Sequence, residues 1–371
     1  MSASPSGPPV ILLAHDVGGV GGMERVLDVH VRALSSAHPV TVVSCTLAPN
    51  LRPFVHTWVR VPAPRSPVSV KFLFYCLWTT VYLKLWRPRG LRMSVGAVTL
   101  GYVDFVQLHF YHRDYVRLAG ALANVNGSIW RRLNTRLVRV MSLALERWTF
   151  GRSSAPTALP VSVGLEHAFL KDYPQVRSIV VPNGVDTARF KPVRRQSDGP
   201  LQVLFVGGDW ARKGVHIMVE ALGLLRAQGV DVCLQVVGRG DAESVRKRSL
   251  DLGISDRCRV AGPSSDVVPY FQAADVFCFP TEYEAAPLVA LEAAASGLAI
   301  VATRVHGVGE LLDQGAGIEV ARNPRSVADA LAALAGNATE QSRLGAAARA
   351  FAMKRSWHSS GEALLAALRS A

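Results

Sequence analysis

The sequence predicts an α/β protein with two domains, each built on a doubly wound parallel sheet. The main observation is a pattern that occurs twice: an apolar strand, a glycine-containing loop, a helix and a second apolar strand. The first copy comprises Val10–Ala14, the loop HDVGGVGG, helical spacing over Met23–Leu34, and Val40–Ser44. The second comprises Leu201–Val206, Gly207–Gly214, Val215–Ala227 and Val232–Val237. Because each pattern describes a parallel crossover, we expect two α/β domains of the same type.

Length and composition agree with two independent cores. The chain has 371 residues, of which 49% are hydrophobic and 19% charged, and a domain typically contains about 100–200 residues. This composition excludes a disordered chain and a small disulfide scaffold. The five cysteines lie far apart without a CxxC pair, which argues against structural zinc and disulfides. The N-terminus has no signal-peptide pattern, so a cytoplasmic location is expected.

A polar, proline-bearing stretch at Val185–Pro200 predicts the boundary between the domains. We therefore predict an N-terminal domain over residues 1–190 and a C-terminal domain over residues 191–353. Helical sequence from Ser326 is interrupted around Lys354–His358. Residues 354–371 are expected to contain a last helix that packs back on the N-terminal domain.

Positive charge is concentrated in the first half of the chain. Residues 1–190 contain 21 Lys/Arg and 9 Asp/Glu, whereas residues 191–371 contain 20 and 19. This imbalance indicates an anionic partner for the first half, such as a membrane surface, a nucleic acid or a phosphorylated substrate. The apolar segment Val68–Trp86 is almost long enough to cross a bilayer, but Lys71 and Lys84 interrupt it. A helix that covers the first sheet is favoured over a membrane span.

Two glycine loops approach the dinucleotide-binding fingerprint without matching it. Glu24 and Glu243 occupy the position where the fingerprint requires its third glycine. A dehydrogenase is therefore not expected, and no Walker phosphate loop occurs in the sequence. The loop Gly18–Gly22 still offers free N–H groups at a helix N-terminus, where an anion can bind. An ordinary strand-to-helix turn is the alternative interpretation.

The second half contains a stronger set of candidate residues. Glu284 and Glu292 are eight residues apart, at the start of and within an apolar helix whose first turn includes Pro287. Two such carboxylates can bind hydroxyl groups of an extended polar ligand, while the N–H groups of Leu288 and Val289 point at negative charge. Arg212 and Lys213 precede another helix, and this pair of cations suits a diphosphate. Solvent-facing charges are the alternative in both cases.

Taken together and in this order, these segments resemble the GT-B glycosyltransferases of family 4. The segments that carry the resemblance are Gly21–Glu24, Val181–Asp186, Phe205–Gly214 and Glu284–Glu292, followed by Ala299–Arg304 and Gly307–Leu311. The adjacent Arg-Lys pair and the Glu-Ala-Ala stretch are most similar to the branch that contains the lipopolysaccharide core glucosyltransferase. The resemblance implies two Rossmann-like domains facing across a cleft. It also implies retaining transfer of a hexose from a UDP- or GDP-linked sugar.

The resemblance assigns roles to individual residues. Arg212 and Lys213 would neutralise the donor diphosphate, Glu292 would bind the ribose, and Glu284 would lie near the transferred sugar. Gly262 would lie beside the base, and Gly21 and Gly22 would close over the diphosphate. His109 matches the active-site histidine of the first domain, with His112 as a rival. The predicted catalytic residues are His109, Arg212, Lys213 and Glu284, and the predicted donor-binding residues are Gly21, Gly22, Arg212, Lys213, Gly262, Glu284, Leu288, Val289 and Glu292.

Two departures from the family pattern affect this assignment. Gly207-Gly208 stands where the family usually has Gly-Arg, so Arg212 must supply that charge. Pro287 stands where the family often has a glycine, and a proline there removes a backbone donor near the sugar. No Asp-x-Asp motif occurs, so the resemblance implies neither a metal nor another cofactor besides the nucleotide-sugar substrate.

The acceptor is expected to bind the basic first domain. Arg113, Arg117, Arg131, Arg132, Arg136 and Arg139, with aromatics on Phe72–Trp86, indicate an anionic membrane surface and a lipid-linked or cell-envelope glycan acceptor. An enzyme at the inner face of the membrane is therefore expected. A nucleotide-sugar epimerase of the same fold and a non-catalytic sugar-nucleotide-binding membrane-surface protein are the alternatives. A nucleic-acid partner is not expected, because no nucleic-acid-binding motif is evident.

Overall fold

The computed structural model describes residues 7–370, except 20, 65, 120–127 and 194–198. The chain divides into two compact units, one formed by Met1–Asn183 with Trp357–Ala371 and the other by Gly184–Ser356. These divisions fall at 183/184 and 356/357, where the sequence predicts 190/191 and 353/354. The middle of the predicted linker, residues 194–198, lies outside the described residues, as does residue 20 of the first glycine loop.

The strands are short and mostly buried. In chain order they are β1 Val10–Leu13, β2 Asp16–Val17, β3 Val40–Ser44, β4 Thr46–Leu47, β5 Thr57–Arg60, β6 Leu91–Val95, β7 Phe105–Leu108, β8 Thr157–Pro160, β9 Leu201–Val206, β10 Val232–Val237, β11 Cys258–Gly262, β12 Val276–Phe279, β13 Ala299–Ala302 and β14 Gly317–Glu319. The predicted strands at β3, β9 and β10 are confirmed with the predicted bounds.

Helices follow most of the strands. They are α1 Gly22–Ala37, α2 Val68–Leu85, α3 His112–Ala119, α4 Ile129–Phe150, α5 Val163–Asp172, α6 Trp210–Lys213, α7 Val215–Ala227, α8 Ala242–Asp251, α9 Val268–Gln272, α10 Leu288–Ala295, α11 His306–Asp313, α12 Pro324–Leu334, α13 Ala338–Met353 and α14 Trp357–Arg369. A 3₁₀ helix spans Pro49–Phe54. The short helix α6 lies where the sequence predicts only a loop.

The first unit contains a parallel sheet in the order β5-β3-β1-β6-β7-β8. Strands β1 and β7 are buried on both faces, which explains the apolar runs in the sequence there. Helix α1 buries Val26, Leu27, Val31 and Leu34, four of its apolar residues at helical spacing. The predicted doubly wound sheet is therefore confirmed for this unit.

Helix α14 completes the core of the first unit. Leu364, Ala367 and Leu368 are buried in the same cluster as Leu27 and Val31 of α1. A Cβ atom at Gly361 would lie 2.9 Å from the Cβ of Ala33, so the two helices approach closely there. The end of the chain is thus an integral part of the first unit.

The second unit contains the corresponding sheet, in the order β11-β10-β9-β12-β13-β14. The strand order reverses between β9 and β12, which pair in parallel. In open α/β sheets, ligands bind outside the carboxyl ends of the strands at such a reversal point. A ligand site is therefore expected in the loops that follow β9 and β12.

Helix α2 is the predicted covering helix. Its length and composition alone would allow it to cross a membrane. However, Tyr75 is fully buried and its hydroxyl donates to the carbonyl of Val43 in β3 at 2.7 Å. One side of α2, including Cys76, Thr79 and Leu83, is also buried. The helix is consequently packed on the first sheet.

Candidate functional site

The candidate site of the second unit lies at the reversal point of its sheet. Strand β9 leads through Gly207-Gly208-Asp209 into α6, which carries Arg212 and Lys213. Strand β12 leads through a loop with Glu284 into α10. Both connections leave the carboxyl ends of adjacent strands, so the fold brings together residues that are about 70 positions apart in the sequence.

Glu284 contacts both cations. Its Oε1 atom lies 3.0 Å from Nη1 of Arg212 and 3.1 Å from Nζ of Lys213. The three side chains are mostly buried, with exposed fractions of 20% for Arg212, 13% for Lys213 and 17% for Glu284. The ammonium group of Lys213 also lies 5.2 Å from the centre of the Phe279 ring. The result is a compact, oriented pair of cations that shares one carboxylate.

Backbone and side-chain contacts fix the orientation of Arg212. Its Nη1 donates to the carbonyl of Tyr283, and its Nε donates to Asp209 at 2.8 Å. Burial opposes the charge, but the carboxylates of Glu284 and Asp209 outweigh it and raise the pKa of Arg212. Asp209 was not predicted as a site residue, although its position three residues before Arg212 places it one helical turn away.

Glycines allow the loops around this cluster to approach closely. Gly207 has φ +150°, and a Cβ there would lie 3.2 Å from Nζ of Lys213. Gly238, after β10, has φ +131°, and a Cβ there would lie 2.0 Å from the carbonyl oxygen of Gly207. Only glycine satisfies both the backbone angle and the space at Gly238.

Helix α10 begins beside Glu284 and carries three predicted donor-binding residues. Pro287 is its N-cap and the helix starts at Leu288, one residue later than the predicted first turn. The N–H groups of Leu288 and Val289 belong to the first turn, which lacks intrahelical acceptors. Glu292 lies in the second turn and is only 3% exposed. A carboxylate at such a position needs hydrogen-bond donors around it.

Gly262 ends β11, at the same edge of the sheet. It has φ +72° with no atom within 4 Å of a Cβ placed there, and its carbonyl accepts from the N–H of Gly238 at 2.7 Å. Gly262 is thus connected by the backbone to the loop that borders Gly207. A flat group can approach its open side without meeting a side chain.

The remaining predicted residues belong to the first unit. Gly21 is the N-cap of α1, and Gly22 is its first residue. A Cβ at Gly21 would lie 1.9 Å from Oε2 of Glu24, so the Glu24 side chain folds back over the start of the helix. The carboxylate therefore occupies the space beside the first N–H groups of α1.

His109 directly follows β7, at the carboxyl edge of the first sheet. Burial lowers its pKa to about 4, so the imidazole is neutral at physiological pH. Its Nε2 is buried and has no hydrogen-bond partner among the described residues. His112 instead contacts Glu146, with Nδ1 2.9 Å from Oε1. Of the two histidines, His109 therefore has a buried ring nitrogen without a partner among the described residues, whereas Nδ1 of His112 is engaged by Glu146.

A buried polar network next to His109 was not predicted from the sequence. His30 of α1 contacts Gln107 at 2.9 Å through Nδ1 and Ser360 of α14 at 3.2 Å through Nε2. Burial, and secondarily the nearby His109, lowers the pKa of His30 to about 3. His30 falls on the apolar face of α1, and this periodicity is the signal that identifies it as buried.

Comparison with known proteins defines the class of the fold. A solved structure of WaaG, a glycosyltransferase involved in lipopolysaccharide biosynthesis, superimposes with a TM-score of 0.75 at 20% identity and covers 95% of this chain and 97% of that chain. The structure of Anabaena Alr3699/HepE in complex with UDP and glucose superimposes with a TM-score of 0.71 at 16% identity, covering 98% and 100%. The fold is therefore GT-B, as the sequence predicts.

The sequence of the second unit identifies the family more closely. Residues 200–337 match the family described as glycosyl transferases group 1. Glycogen synthase of Mycobacterium tuberculosis (strain CDC 1551 / Oshkosh) is 31% identical over 196 residues, which cover 52% of this chain and 47% of that protein. The lipopolysaccharide core biosynthesis glycosyltransferase LpsE of Rhizobium meliloti (strain 1021) is 34% identical over 134 residues, covering 34% and 38%.

The chain spans about half the length of the first curated relatives it matches. Residues 200–337 are thus similar to the glycosyl transferases group 1. The predicted resemblance to these enzymes, near the lipopolysaccharide core branch, is therefore confirmed.

Proposed function

We propose that the protein is a retaining glycosyltransferase that moves a hexose from a UDP- or GDP-linked sugar to a hydroxyl acceptor. The observation that carries this proposal is the cluster of Arg212, Lys213 and Glu284 at the reversal point of a group 1 domain. Two oriented cations at the carboxyl edge of the sheet suit the diphosphate of a nucleotide-sugar.

The cations act when the bond between the sugar and the diphosphate breaks. Negative charge then develops on the leaving phosphate oxygen, and fixed cations stabilise it without reorganising. Arg212 offers a planar pair of N–H groups, whereas Lys213 supplies a point charge. The N–H groups of Leu288 and Val289, at the positive end of α10, add to the same field. We assign these four residues to the diphosphate and the sugar, and no metal or other cofactor is part of the proposal.

Retention of the anomeric configuration is what the resemblance to family 4 implies, and the state of Glu284 fits retention without a covalent intermediate. Its Oε1 is shared by two cations at 3.0 and 3.1 Å, which lowers its nucleophilicity and favours a role in holding the cations and the sugar. We therefore propose that the acceptor attacks on the face from which the diphosphate leaves, with no covalent intermediate on the enzyme. The acceptor proton then passes to the departing diphosphate.

The remaining predicted residues complete the proposal. Glu292 binds the ribose, Gly262 lies beside the base, and Gly21 and Gly22 close over the diphosphate. His109 holds the reacting sugar or the acceptor hydroxyl, since a neutral imidazole can donate or accept one hydrogen bond. The buried Nε2 of His109, which has no partner among the described residues, supports this role.

A lipid-linked or cell-envelope glycan precursor is the proposed acceptor. The names of two relatives support this choice: the lipopolysaccharide core enzyme LpsE and a phosphatidyl-myo-inositol mannosyltransferase, 34% identical over 145 residues. The HepE structures with UDP and UDP-glucose support a UDP-sugar as the donor. A position in the cytoplasm, at the inner face of the membrane, is part of the same proposal.

Binding of nucleotide-sugars to the full chain tests the donor site. Thermal unfolding is measured with UDP-, GDP- and ADP-sugars in the presence of EDTA, for the wild type and for Lys213→Ala and Glu292→Ala. We expect one nucleotide class to raise the Tm of the wild type and of the control Lys247→Ala, which changes an exposed lysine of α8. Neither site variant should respond. No response of the wild type to any nucleotide contradicts the donor site.

Product analysis separates the proposed reaction from its two alternatives. Transfer to a lipid-linked acceptor with an α-linked product from an α-linked donor supports a retaining transferase, and an inverted product contradicts retention. Interconversion of the donor sugar without any acceptor indicates an epimerase. A nucleotide-sugar that binds tightly but is not turned over with any acceptor extracted from cell envelopes indicates a non-catalytic sugar-nucleotide-binding protein.

A further inference from the structure

Helix α4 carries an exposed apolar stripe along its whole length. Counting from Trp130, apolar residues recur at steps of three and four as far as Val140, and Trp148 follows eight residues later on the same side of the helix. They are exposed by 46% to 81%, and Trp130 is the most exposed among them. The stripe consists of Trp130, Leu133, Leu137, Val140 and Trp148.

Helix α2 carries a second stripe of the same kind. The residues Val70, Phe74, Leu77, Val81 and Leu85 follow each other at helical spacing and are exposed by 38% to 68%. The opposite side of α2 is anchored in the fold, because the Tyr75 hydroxyl donates to the carbonyl of Val43. The exposed side is therefore a fixed surface of a folded unit.

The two helices lie side by side in the first unit. Near their starts, the N–H of Ser69 donates to the side chain of Asn134 at 3.0 Å. Near their ends, Leu100 connects them: its N–H donates to Thr80 at 2.9 Å, and its carbonyl accepts from the Trp148 indole at 3.3 Å. We call the two stripes together the α2–α4 face. Exposed apolar patches of such extent mark sites of interaction.

The charge around the α2–α4 face is strongly positive. The sequence contains no acidic residue between Asp28 and Asp104. The only acidic residue of α4 is Glu146, which is buried and contacts His112. Arg131, Arg132 and Arg136 are exposed, and none has an ion-pair partner within the described part of the chain. The partner of this face must therefore combine apolar and anionic groups.

Several of the residues that the sequence predicts at the membrane have partners within the first unit. Arg113 and Arg117 pair with Asp172, at 3.3 and 2.8 Å, and the guanidinium of Arg139 lies over the ring of Tyr115. Among the aromatics, Tyr75 is fully buried and Phe72 packs against His15. Arg113, Arg117 and Arg139 thus have partners within the unit. Of the six arginines expected at the membrane, Arg131, Arg132 and Arg136 are the ones without such a contact in the described part of the chain.

We propose that the α2–α4 face docks on an anionic phospholipid bilayer, with both helices lying in the plane of the interface. Apolar side chains would enter the acyl region, the exposed arginines would contact lipid phosphates, and the indoles of Trp130 and Trp148 suit the headgroup level. A second copy of the chain is a poorer partner, because a two-fold interface would bring the same arginines together. A membrane span is incompatible with the anchored side of α2. This inference rests on the membrane position in the proposed function, but its vesicle test does not depend on the transferase chemistry.

Sedimentation of the full chain with vesicles tests the docking surface. Phosphatidylcholine vesicles with and without phosphatidylglycerol are compared at low and at high salt. We expect strong binding only when phosphatidylglycerol is present, and weaker binding as salt screens the arginines. The combined Arg132→Gln and Arg136→Gln variant should bind about 30-fold more weakly, since each such residue contributes about fivefold.

Matched variants show whether the apolar stripe takes part. The combined Leu133→Ser and Leu137→Ser variant should lose at least about tenfold in partitioning. Leu250→Ser changes an equally apolar residue of the second unit that is 71% exposed, and it should bind as the wild type does. All these positions are exposed, so an unchanged Tm verifies that the variants are folded.

Four outcomes would overturn the proposal. The first two are absence of binding to phosphatidylglycerol vesicles and equal binding to both vesicle types. The third is a loss of binding in Leu250→Ser as large as that in the combined Leu133→Ser and Leu137→Ser variant. The fourth is a wild type that is a dimer unaffected by vesicles, with a monomeric Leu133→Ser and Leu137→Ser variant. Quenching of tryptophan emission by brominated lipid, reduced in Trp130→Phe, would support insertion. Binding without quenching would contradict it.

Discussion

Glu284 shows how one residue can organise a site before any ligand arrives. Its carboxylate is shared by Arg212 and Lys213, so it holds two like charges close together in a mostly buried place. Without it the cations would repel each other and turn toward solvent. A diphosphate can supply the same compensation, so the cluster is prepared for a ligand of opposite charge.

The substitution Glu284→Gln tests this view. We expect the free energy of unfolding to fall by about 1–3 kcal/mol, because two mostly buried cations lose their counter-charge. Inorganic pyrophosphate should then raise the Tm of the variant more than that of the wild type. Differential scanning fluorimetry measures both effects.

Glu319→Gln serves as the control for Glu284→Gln. Glu319 pairs with Arg304, and both side chains are nearly half exposed, so the change should stay within about 0.5 kcal/mol. A Glu284→Gln protein that is as stable as the wild type and indifferent to pyrophosphate would contradict the assigned role.

His30 predicts a pH dependence of stability. Burial, with a smaller contribution from His109, lowers its pKa from 6.5 to about 3 in the folded state. Between about pH 6.5 and pH 3 the unfolded chain binds a proton that the folded chain does not. The free energy of unfolding therefore falls as the pH is lowered, by up to about 1.4 kcal/mol per pH unit for this group.

Denaturant unfolding at pH 7, 6 and 5 measures that slope. The free energy of unfolding of His30→Gln should depend less steeply on pH than that of the wild type, and the difference in slope should correspond to about one bound proton. His358→Gln, which changes a histidine that is 83% exposed, should leave the slope unchanged. Equal slopes in wild type and His30→Gln would refute the assignment.

At the scale of elements, the glycine-containing connections between strands and helices decide whether the site forms. Gly238 approaches the carbonyl of Gly207, and Gly207 borders Lys213. The loop after β10 therefore supports the loop after β9 by close backbone contact. A side chain between them would separate the two loops.

Gly238→Ala tests this support. The new Cβ would lie 2.0 Å from the Gly207 oxygen at a backbone φ of +131°, so we expect a loss of at least about 2–3 kcal/mol and of nucleotide binding. Gly229→Ala also has positive φ, +73°, but meets no atom within 4 Å. It should cost only about 1–2 kcal/mol and leave nucleotide binding unchanged, as measured by unfolding and calorimetry.

The strands and helices of the two crossover patterns were predictable from the sequence because apolar periodicity and glycine loops indicate them directly. Strands β3, β9 and β10 and helix α7 have the predicted bounds. Helix α6 was missed because four residues are too few to show a period. The contact of Asp209 with Arg212 depends on that helix, so it was missed too. The exposed side of α2 can be identified only once the packing of Tyr75 is known, because a uniformly apolar sequence does not show which side of the helix is buried.

At the scale of the whole molecule, the second unit is continuous in sequence. It comprises Gly184–Ser356 and contains Arg212, Lys213, Gly262, Glu284 and Glu292. Its sheet and covering helices belong to the same stretch. The first unit, in contrast, needs two separate stretches of chain.

The isolated fragment 184–356 should therefore fold cooperatively and bind a donor nucleotide. Circular dichroism and calorimetry on the fragment measure both properties, and Lys213→Ala in the fragment is the control that should fold without binding. The fragment 1–183 lacks α14, which leaves Leu27 and Val31 without part of their core, and it should be less stable. A fragment 184–356 that unfolds without cooperativity would contradict the division.

The placement of α14 also has a consequence for synthesis. The ribosome makes the helix that completes the first unit only after it has made the whole second unit. At typical elongation rates this delay is on the order of ten seconds. During that interval part of the apolar side of α1 is uncovered, while the second unit can already fold. The unit whose synthesis begins first is therefore the last to be completed.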